Sequence, residues 1–258
     1  MFGLTSNPIQ ARPSTDSIAI RAVDFNESEQ EQILQQLFLL CSNTSGDKKV
    51  KQMEPKFKSL LDRLCEINPD LINTQDYQGK TLLMHSIINE HFQFTNTLLA
   101  CDSIDIDKRT NQTQQTALMF AIEKAFISTV LQLLNENNVT DCDASGKSLL
   151  MYAVDNFSII QAILKSKSAL DLNQQDNEGR SFLMFALKKM AKNRKSFVTN
   201  ASLKLVVNAM LAESSVNFLL RDKAGKSMQD YAEEAGDPDI IRIICEKMKE
   251  ESIVNNNV

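Results

Sequence analysis

The residue types that could do covalent chemistry are few and scattered. The chain of 258 residues has two histidines, His85 and His91, and five cysteines: Cys41, Cys65, Cys101, Cys142 and Cys245. A cysteine beside a histidine would form a nucleophile with its base. The cysteines, however, are irregularly spaced, and the sequence has no C-x-x-C pair, glycine-rich phosphate loop or nucleophile elbow. We therefore expect reduced thiols, and we predict no catalytic residue, no metal site and no cofactor.

The densest cationic cluster consists of Lys188, Lys189, Lys192, Arg194 and Lys195. Such a run can bind phosphate groups or act as a localisation signal, and it can equally be a solvated helix face. The net charge of −5 argues mildly against nucleic acid as the main partner. Two alternatives stay open at this point. One is a nucleic-acid or phosphoinositide binder that uses this cluster, and the other is an enzyme that uses the same region with a Cys/His pair.

One eleven-residue sequence motif, called the phrase below, occurs five times along the chain. The copy at residues 143–153, DASGKSLLMYA, has counterparts that begin at Asp76, Asn111, Asp176 and Asp222. The Thr or Ser of the phrase is followed by the next one after 35, 32, 33 and 46 residues, at Thr81, Thr116, Ser148, Ser181 and Ser227. Repetition with a period near 33 predicts a repeat array.

The phrase describes a turn followed by a helix. Asp-x-x-Gly is typical of a tight turn, because Gly accepts positive φ and Asp closes an Asx turn. The Thr or Ser can cap the helix that follows, and Leu and Ala three residues apart lie on one face of it. His85 stands where other copies have Phe or Tyr, so we interpret it as a packing residue. Gln114 replaces the glycine of the second copy, and we expect its turn to be strained or of another type.

The phrase Thr/Ser-x-Leu-Met-x-Ala/Ser resembles the T-P-L-H-x-A signature of the ankyrin repeat family. The Pro is absent, and Met84, Met119, Met151 and Met184 replace the His. Residues 68–73 resemble the exit of an ankyrin repeat, and residues 236–241 recover the family pattern at the end. The resemblance covers roughly residues 55–248. It implies an all-α ankyrin-repeat solenoid of about five helix-turn-helix repeats, with a degenerate capping repeat at its N-terminal end.

This frame predicts the boundaries of the chain. We expect an N-terminal tail at 1–27, the capping repeat at 28–72, the ankyrin repeats at 73–249 and a C-terminal tail at 250–258. Within the cap, a capping box at 28–31 begins one helix, 43–52 form a polar loop and Pro55 opens the second helix. The third repeat is two residues short, which trims its first helix or its turn. The excess of the fourth, at 188–200, lengthens its first helix and the following loop. The last helix ends near Lys249.

The resemblance implies a non-catalytic module that binds a partner protein through the concave surface formed by turn tips and first helices. Four of the five tips carry a cation between the Gly and the Thr or Ser, which favours an acidic partner, although Lys and Arg are also ordinary soluble turn residues. Tyr77 is the expected aromatic anchor. The predicted binding residues are Tyr77, Lys80, Asn89, Gln115, Lys124, Lys147, Asn156, Arg180, Lys188, Lys189 and Lys226.

Composition adds a second resemblance. A divergent ankyrin chain rich in Lys, Asn, Ile and Gln resembles the type IV-secreted effectors of intracellular bacteria, and residues 246–252, EKMKEES, resemble their glutamate-rich C-terminal signal. This resemblance implies action on a eukaryotic protein in the cytosol of a host cell. The sequence has no signal-peptide core and no apolar run of membrane-spanning length, so we expect a cytoplasmic protein.

Overall fold

The computed structural model describes residues 29–43, 47–135, 137–165, 170–193 and 197–256. Within these ranges the chain is helical, and it contains isolated bridges, Cys142–Ser148 and Arg221–Ser227, but no strand. A 3-10 helix, Pro69–Asn73, joins the first pair of helices to the rest. The pairs are α1 (Glu29–Asn43) and α2 (Asp47–Ile67), α3 (Leu82–Ile88) and α4 (Phe92–Leu99), α5 (Ala117–Glu123) and α6 (Ile127–Leu133), α7 (Leu149–Tyr152) and α8 (Phe157–Lys165), α9 (Phe182–Lys192) and α10 (Phe197–Leu211), and α11 (Met228–Ala235) and α12 (Pro238–Asn256).

The pairs stack in two layers. The first helix of each pair packs on the first helix of the next, in the order α1, α3, α5, α7, α9, α11. The second helices form the other layer. There α2 packs on α4, and the helices α6, α8, α10 and α12 follow in that order. The rings of Phe92 and Phe126, 4.6 Å apart, connect α4 with the start of α6. This arrangement confirms the predicted all-α repeat solenoid.

The core lies between the two layers. Met84, Met119, Met151 and Met184 are at most 1% exposed, which confirms that methionine fills the interior at this position. The aromatic positions of the phrase vary more. Phe120 and Tyr231 are buried, whereas His85, Tyr152 and Phe185 are half-buried, so this stripe lies at the margin of the core.

The prediction for the start of α2 was wrong. The helix begins at Asp47, within the expected loop, and Pro55 lies inside it. Val50, Phe57, Leu61 and Leu64 have helical spacing and are at most 2% exposed. This apolar face continues through the proline, and because Pro55 lies on the exposed side, water can satisfy the carbonyl that its missing N–H leaves free.

The predicted end of the last helix was also wrong, because α12 continues past Lys249 to Asn256. A polar contact holds this extension on the last repeat, because the Glu251 carboxylate accepts the N–H of Phe218 at 2.9 Å. Within the helix itself, the Ser252 hydroxyl donates to the carbonyl of Met248 at 2.7 Å. The four-part division of the chain stays a prediction, and its N-terminal tail, the capping-box residue Ser28 and residues 257–258 lie outside the described ranges.

The lengths of the helices show which elements differ in the two irregular repeats. In the third repeat, α7 has 4 residues where α3 and α5 have 7, so its first helix is the shortened element. In the fourth repeat the first helix, α9, is lengthened to 11 residues, as predicted, but the second helix, α10, has 15 residues. The insertion therefore also lengthens the second helix, because Leu203, Val206, Val207 and Met210 continue a buried helical face. The predicted loop falls largely on residues 194–196, outside the described ranges.

Candidate functional site: the turn tips

Each regular turn is closed by its first residue, an aspartate. Asp143 Oδ1 accepts the N–H groups of Ser145 and Lys147 at 2.8 and 2.9 Å, and the N–H of Gly146 donates to the carbonyl of Asp143. Gly146 has φ of 75°, a conformation that favours glycine. The turns that begin at Asp76, Asp176 and Asp222 repeat these bonds. We call the turns at 76–80, 110–115, 143–147, 176–180 and 222–226 the tips.

The second carboxylate oxygen fastens three of these tips to their first helices, and in the fourth repeat it is bonded within the tip itself. Asp143 Oδ2 accepts from the Tyr152 hydroxyl at 2.8 Å, and Asp222 accepts from Tyr231 at 2.7 Å. In the first repeat the contact is between Asp76 and His85 Nε2, at 2.8 Å. Phe185 has no donor, and there Arg180 Nε and Nη2 bond Asp176 at 2.8 and 2.6 Å. Sequence reasoning treated the rings only as packing groups and missed these bonds.

Acidification is expected to destabilise the fold through His85. Burial lowers the pKa of His85, against the hydrogen bond and charge of Asp76, which raise it. The unfolded chain, with a histidine pKa near 6.5, then binds more protons than the folded one, so the free energy of unfolding falls as pH drops through about 6.5. His85→Phe introduces the side chain that the second and fourth repeats have at this position, Phe120 and Phe185. In urea unfolding, the free energy of unfolding of this variant should fall less than that of the parent between about pH 8 and pH 5. An unchanged pH dependence in the variant would contradict this assignment.

The second tip has the different geometry that the sequence predicted. Gln114 has φ of 54°, in the left-handed region. The tip opens one residue early, at Thr110, whose hydroxyl accepts the N–H of Gln115 at 2.9 Å, and the N–H of Gln114 donates to the carbonyl of Thr110 at 3.1 Å. A threonine thus does the work of the aspartate in a longer turn.

Backbone hydrogen bonds join all five tips in series. The N–H groups of Asn111, Ala144, Asn177 and Lys223 each donate to a carbonyl of the preceding tip, at 2.8–2.9 Å; the acceptors are Gln78, Thr113, Ser145 and Glu178. We call this series the tip ladder. Its partners are 31–45 residues apart in sequence, and it fixes the spacing between successive tips.

The tip cations lie against their own helices. Lys147 Nζ lies 3.6 Å from the ring centre of Tyr152, and Lys226 Nζ lies 4.2 Å from that of Tyr231. Lys226 also pairs with Glu234, and Arg180 pairs with Asp176. Burial lowers the pKa of Lys147, although neighbouring carboxylates, Glu123 first among them, raise it. Lys80 is half-buried. The charges of Lys147, Arg180 and Lys226 therefore lie against rings or carboxylates of the same protein.

The other predicted residues mostly connect neighbouring elements. Asn89 donates to the carbonyl of Cys41 in α1 at 3.0 Å, and Gln115 donates to the Tyr152 hydroxyl at 2.9 Å. The Asn156 side chain accepts the N–H of Ile159 at the start of α8. The lysines form ion pairs, namely Lys124 with Glu90, Lys188 with Glu178 and Lys189 with Asp155. Tyr77, in contrast, is 69% exposed.

The exposed edge of the ladder is polar and largely uncharged. Its exposed polar side chains in the first four tips are Tyr77, Gln78, Asn111, Gln112, Thr113, Gln114, Ser145, Asn177 and Glu178. Tyrosine with amide and hydroxyl side chains gives contact area and adaptable hydrogen bonding, the combination that antibody loops use. This edge, with the exposed ends of the first helices, is the candidate binding surface.

One hydrogen-bond chain has the order of a catalytic triad. The Ser42 hydroxyl lies 3.3 Å from His85 Nδ1, and His85 Nε2 contacts Asp76. Ser42 is in the last turn of α1, where carbonyls rather than N–H groups point outward, the opposite of what an oxyanion needs. The same aspartate contact recurs with Tyr152 and Tyr231, which supports a structural role.

Three of the five cysteines are also poor candidates for catalysis. Burial raises the pKa of Cys41 far above its ordinary value, raises that of Cys65, and raises that of Cys101 to about 11. The thiolate is the reactive form, so these three thiols are poor nucleophiles. Among the residues that the structure describes, no group of three His, Cys, Asp or Glu side chains is placed to hold a metal ion.

Comparison with known proteins agrees with this architecture. The sequence model of the family "Ankyrin repeats (3 copies)" matches residues 50–141. An ankyrin repeat domain from Acinetobacter baumannii AYE is similar in structure, with a TM-score of 0.57 and 15% identity over 78% of this chain and 97% of that domain. Residues 50–141 therefore match the ankyrin-repeat family, and the described chain has the fold of an ankyrin-repeat solenoid. A search of curated protein sequences finds no significant match.

Two further solved structures resemble the fold of this chain. The ankyrin repeat domain of Bcl-3, a member of the IkappaB family, has a TM-score of 0.55 and 18% identity, over 81% of this chain and 96% of that one. A chain in the complex of the Bd0816 predatory endopeptidase from Bdellovibrio bacteriovorus with immunity protein Bd3460 has a TM-score of 0.54 and 20% identity, over 79% and 100%. At these identities the likeness shows the fold.

The family match ends just before the third repeat, where the short α7 and the long fourth repeat interrupt the regular period. Ankyrin repeats are in general protein–protein interaction modules and are typically non-catalytic. Within the described part of the chain, no helix is both long and apolar enough to cross a membrane.

Proposed function

We propose that this chain is a non-catalytic module that binds a partner protein across its tips and the adjoining ends of its first helices. The observation that carries the proposal is the tip ladder, which aligns five exposed turns in one hydrogen-bonded series. A surface fixed before binding loses little conformational freedom when a partner docks, so more of the contact energy appears as affinity.

Tyr77 is the proposed anchor of this surface. It is 69% exposed at the first tip, and the Asn111 side chain bonds its backbone carbonyl at 3.1 Å, which fixes the position from which the ring projects. A large side chain held in place costs little entropy on binding, and such residues dominate interface energetics. The preference for an acidic partner also stays a proposal, and Arg180 and Lys226 would favour it only after exchanging their present carboxylate contacts.

The proposal predicts a large effect at Tyr77. A partner is first captured from eukaryotic cytosol and identified by mass spectrometry, and its Kd is then measured with purified protein. Tyr77→Ala should weaken binding by about 30-fold, the effect of an interface hot spot. Leu131→Ala is the matched control, because Leu131 is 59% exposed on the second-helix layer, and its Kd should stay within about twofold. Equal effects of the two substitutions would contradict the tip surface.

The fourth repeat is the competing location. Lys188 and Lys189 are paired with carboxylates and Lys192 is exposed, whereas Arg194 and Lys195 lie outside the described ranges. Lys192→Glu tests this cluster without shortening α10. Loss of partner binding in Lys192→Glu, with binding kept in Tyr77→Ala, would place the interface on the insertion and overturn the tip proposal.

The cellular setting that composition supports is that of a type IV-secreted effector acting on a host protein in the host cytosol. The support is the Lys, Asn, Ile and Gln content and the glutamate-rich residues 246–252, which belong to α12. Glu246 and Glu250 are exposed and pair with Arg242 and Lys247. A translocation reporter fused to the chain should reach the host cytosol, and Glu246→Gln with Glu250→Gln should reduce this transfer while leaving the melting midpoint unchanged. Transfer at the parent level would reject these glutamates as a signal.

A further inference from the structure

Among the residues that the structure describes, the tip ladder is open at its C-terminal end. At Gly79, Gly146 and Gly179 the following tip approaches so closely that an added Cβ would lie 2.5–2.9 Å from a backbone nitrogen of that tip. At Gly225 an added Cβ would meet no atom of the described residues within 4 Å. The last tip has the same turn bonds and a similar positive φ, so it presents the same cradle, and none of the described residues lies in it.

Asparagine fills this cradle at two internal junctions. The backbone N–H and side-chain amide of Asn111 donate to the carbonyls of Gln78 and Tyr77, at 2.9 and 3.1 Å. Asn177 makes the same pair of bonds to Ser145 and Ala144, at 2.8 and 2.9 Å. The matching carbonyls of the last tip belong to Ala224 and Lys223, and both residues are exposed.

A second set of bonds crosses three of the four junctions, from the residue just before the tip. Gln75 donates to the carbonyls of its own Gly79 and of Arg109 in the next repeat, and Gln175 donates to Gly179 and Arg221. The third example is cationic. Arg109 donates to Gln114 in its own tip, to the Cys142 carbonyl at 2.9 Å and to the Asp141 carboxylate at 2.6 Å.

Arg221 is the equivalent residue of the last tip. Its Nη1 donates to the carbonyl of Gly225 at 2.7 Å, and it is exposed. Its positive charge also helps to lower the pKa of Asp230, after the hydrogen bonds from Ser227. Arg109 uses its guanidinium for a carbonyl and a carboxylate of the following repeat, and at Arg221 no repeat follows within the described chain.

We propose that Arg221, Lys223, Ala224 and Gly225 form a docking site for an acidic, asparagine-bearing turn of a partner protein. The asparagine lies over Gly225 and donates its N–H to Ala224 and its side-chain amide to the Lys223 carbonyl. A carboxylate three residues earlier pairs with Arg221, the spacing that Asp141 has from Ala144 at the third tip. A second copy of this chain does not supply the turn, because both asparagines that it places in such a cradle, Asn111 and Asn177, are already engaged. The site is separate from Tyr77.

A cyclic peptide tests the site. It carries the sequence of residues 141–147 with Cys142→Ser and Ala144→Asn, which gives Asp-Ser-Asp-Asn-Ser-Gly-Lys, and it is titrated into the labelled full chain while amide chemical shifts are recorded. Millimolar peptide should shift the amides of Lys223, Ala224 and Gly225. Replacing its asparagine by Ala keeps the backbone N–H and should weaken binding about fivefold, the effect of one lost side-chain hydrogen bond.

Three protein variants separate the contributions. Gly225→Asn keeps the left-handed turn, which asparagine tolerates, but fills the cradle and should abolish binding. Arg221→Gln keeps the donor that Gln75 and Gln175 use and should weaken binding about fivefold. Tyr77→Ala should leave peptide binding unchanged, so failure here is distinguishable from failure of the tip proposal. The docking site is overturned if the shifts map elsewhere, if no shift occurs, or if the Ala peptide binds equally well.

Discussion

Gly79→Ala is expected to lower the free energy of unfolding by about 2–5 kcal/mol, and Gly225→Ala by only about 1–2 kcal/mol. Both glycines have nearly the same φ, 79° and 80°, so both variants suffer the strain of an L-residue in the left-handed region. At Gly79 the new methyl would also lie 2.5 Å from the backbone nitrogen of Asn111, and backbone cannot move aside as a side chain can. At Gly225 the described residues leave this space open.

Urea unfolding of the two variants isolates the ladder, because local strain is common to both. The difference between them measures how tightly one tip is held against the next. Equal losses of stability would mean that the tips are not packed together in solution, and the proposal of a fixed binding surface would lose its physical basis.

Leu150→Ala is expected to lower the free energy of unfolding by about 2–5 kcal/mol, because it leaves a cavity at a fully enclosed leucine site. Leu150 is 2% exposed in α7, which has 4 residues and packs on both α5 and α9. Because each repeat is stabilised by its neighbours, damage at this shortest helix affects the coupling between the two halves of the array.

The control for this prediction is Leu131→Ala, in which an exposed leucine is removed from α6. It should change the free energy of unfolding by no more than about 0.5 kcal/mol. A Leu150→Ala variant as stable as this control would show that the third repeat is not packed as described.

The repeated phrase was sufficient to predict the fold, because each copy contains the residues that favour its own turn and helix. Asp143 and Gly146 specify a turn, Leu150 and Ala153 specify a buried helix face, and a period near 33 specifies stacking. Helix ends were less predictable. Pro55 resembled a start signal, but the buried face that begins at Val50 outweighs it, since tertiary packing overrides local preference.

The sequence predicted which residues lie on the tips, but it did not predict the hydrogen bonds and ring contacts that they make. Sequence reasoning placed Tyr77 and the cations on the tips, but whether a lysine projects outward or folds onto a ring depends on what its own helix presents. Lys147 lies over Tyr152 because the tyrosine is already fastened to Asp143. The nine-residue spacing of Asp76–His85, Asp143–Tyr152 and Asp222–Tyr231 was the signal available in the sequence for these bonds.

The tip ladder itself was beyond single-sequence reasoning. Its bonds join backbone groups, which every residue has, so nothing in the residue types of Gln78 and Asn111 marks them as partners. The asparagines are the exception, because Asn111 and Asn177 add side-chain bonds that recur at the same position of two tips. A comparison of tips with each other, and not only with the family signature, would have found them.

Hydrogen exchange of the captured complex tests most directly whether the partner protein contacts the tips. Amide exchange is measured for the protein alone and with its partner bound. We expect slower exchange on binding in residues 76–80, 110–115, 143–147 and 176–180, and unchanged exchange in α4, α6 and α8. Protection confined to residues 188–200 or to the second-helix layer, with the tips unchanged, would contradict it.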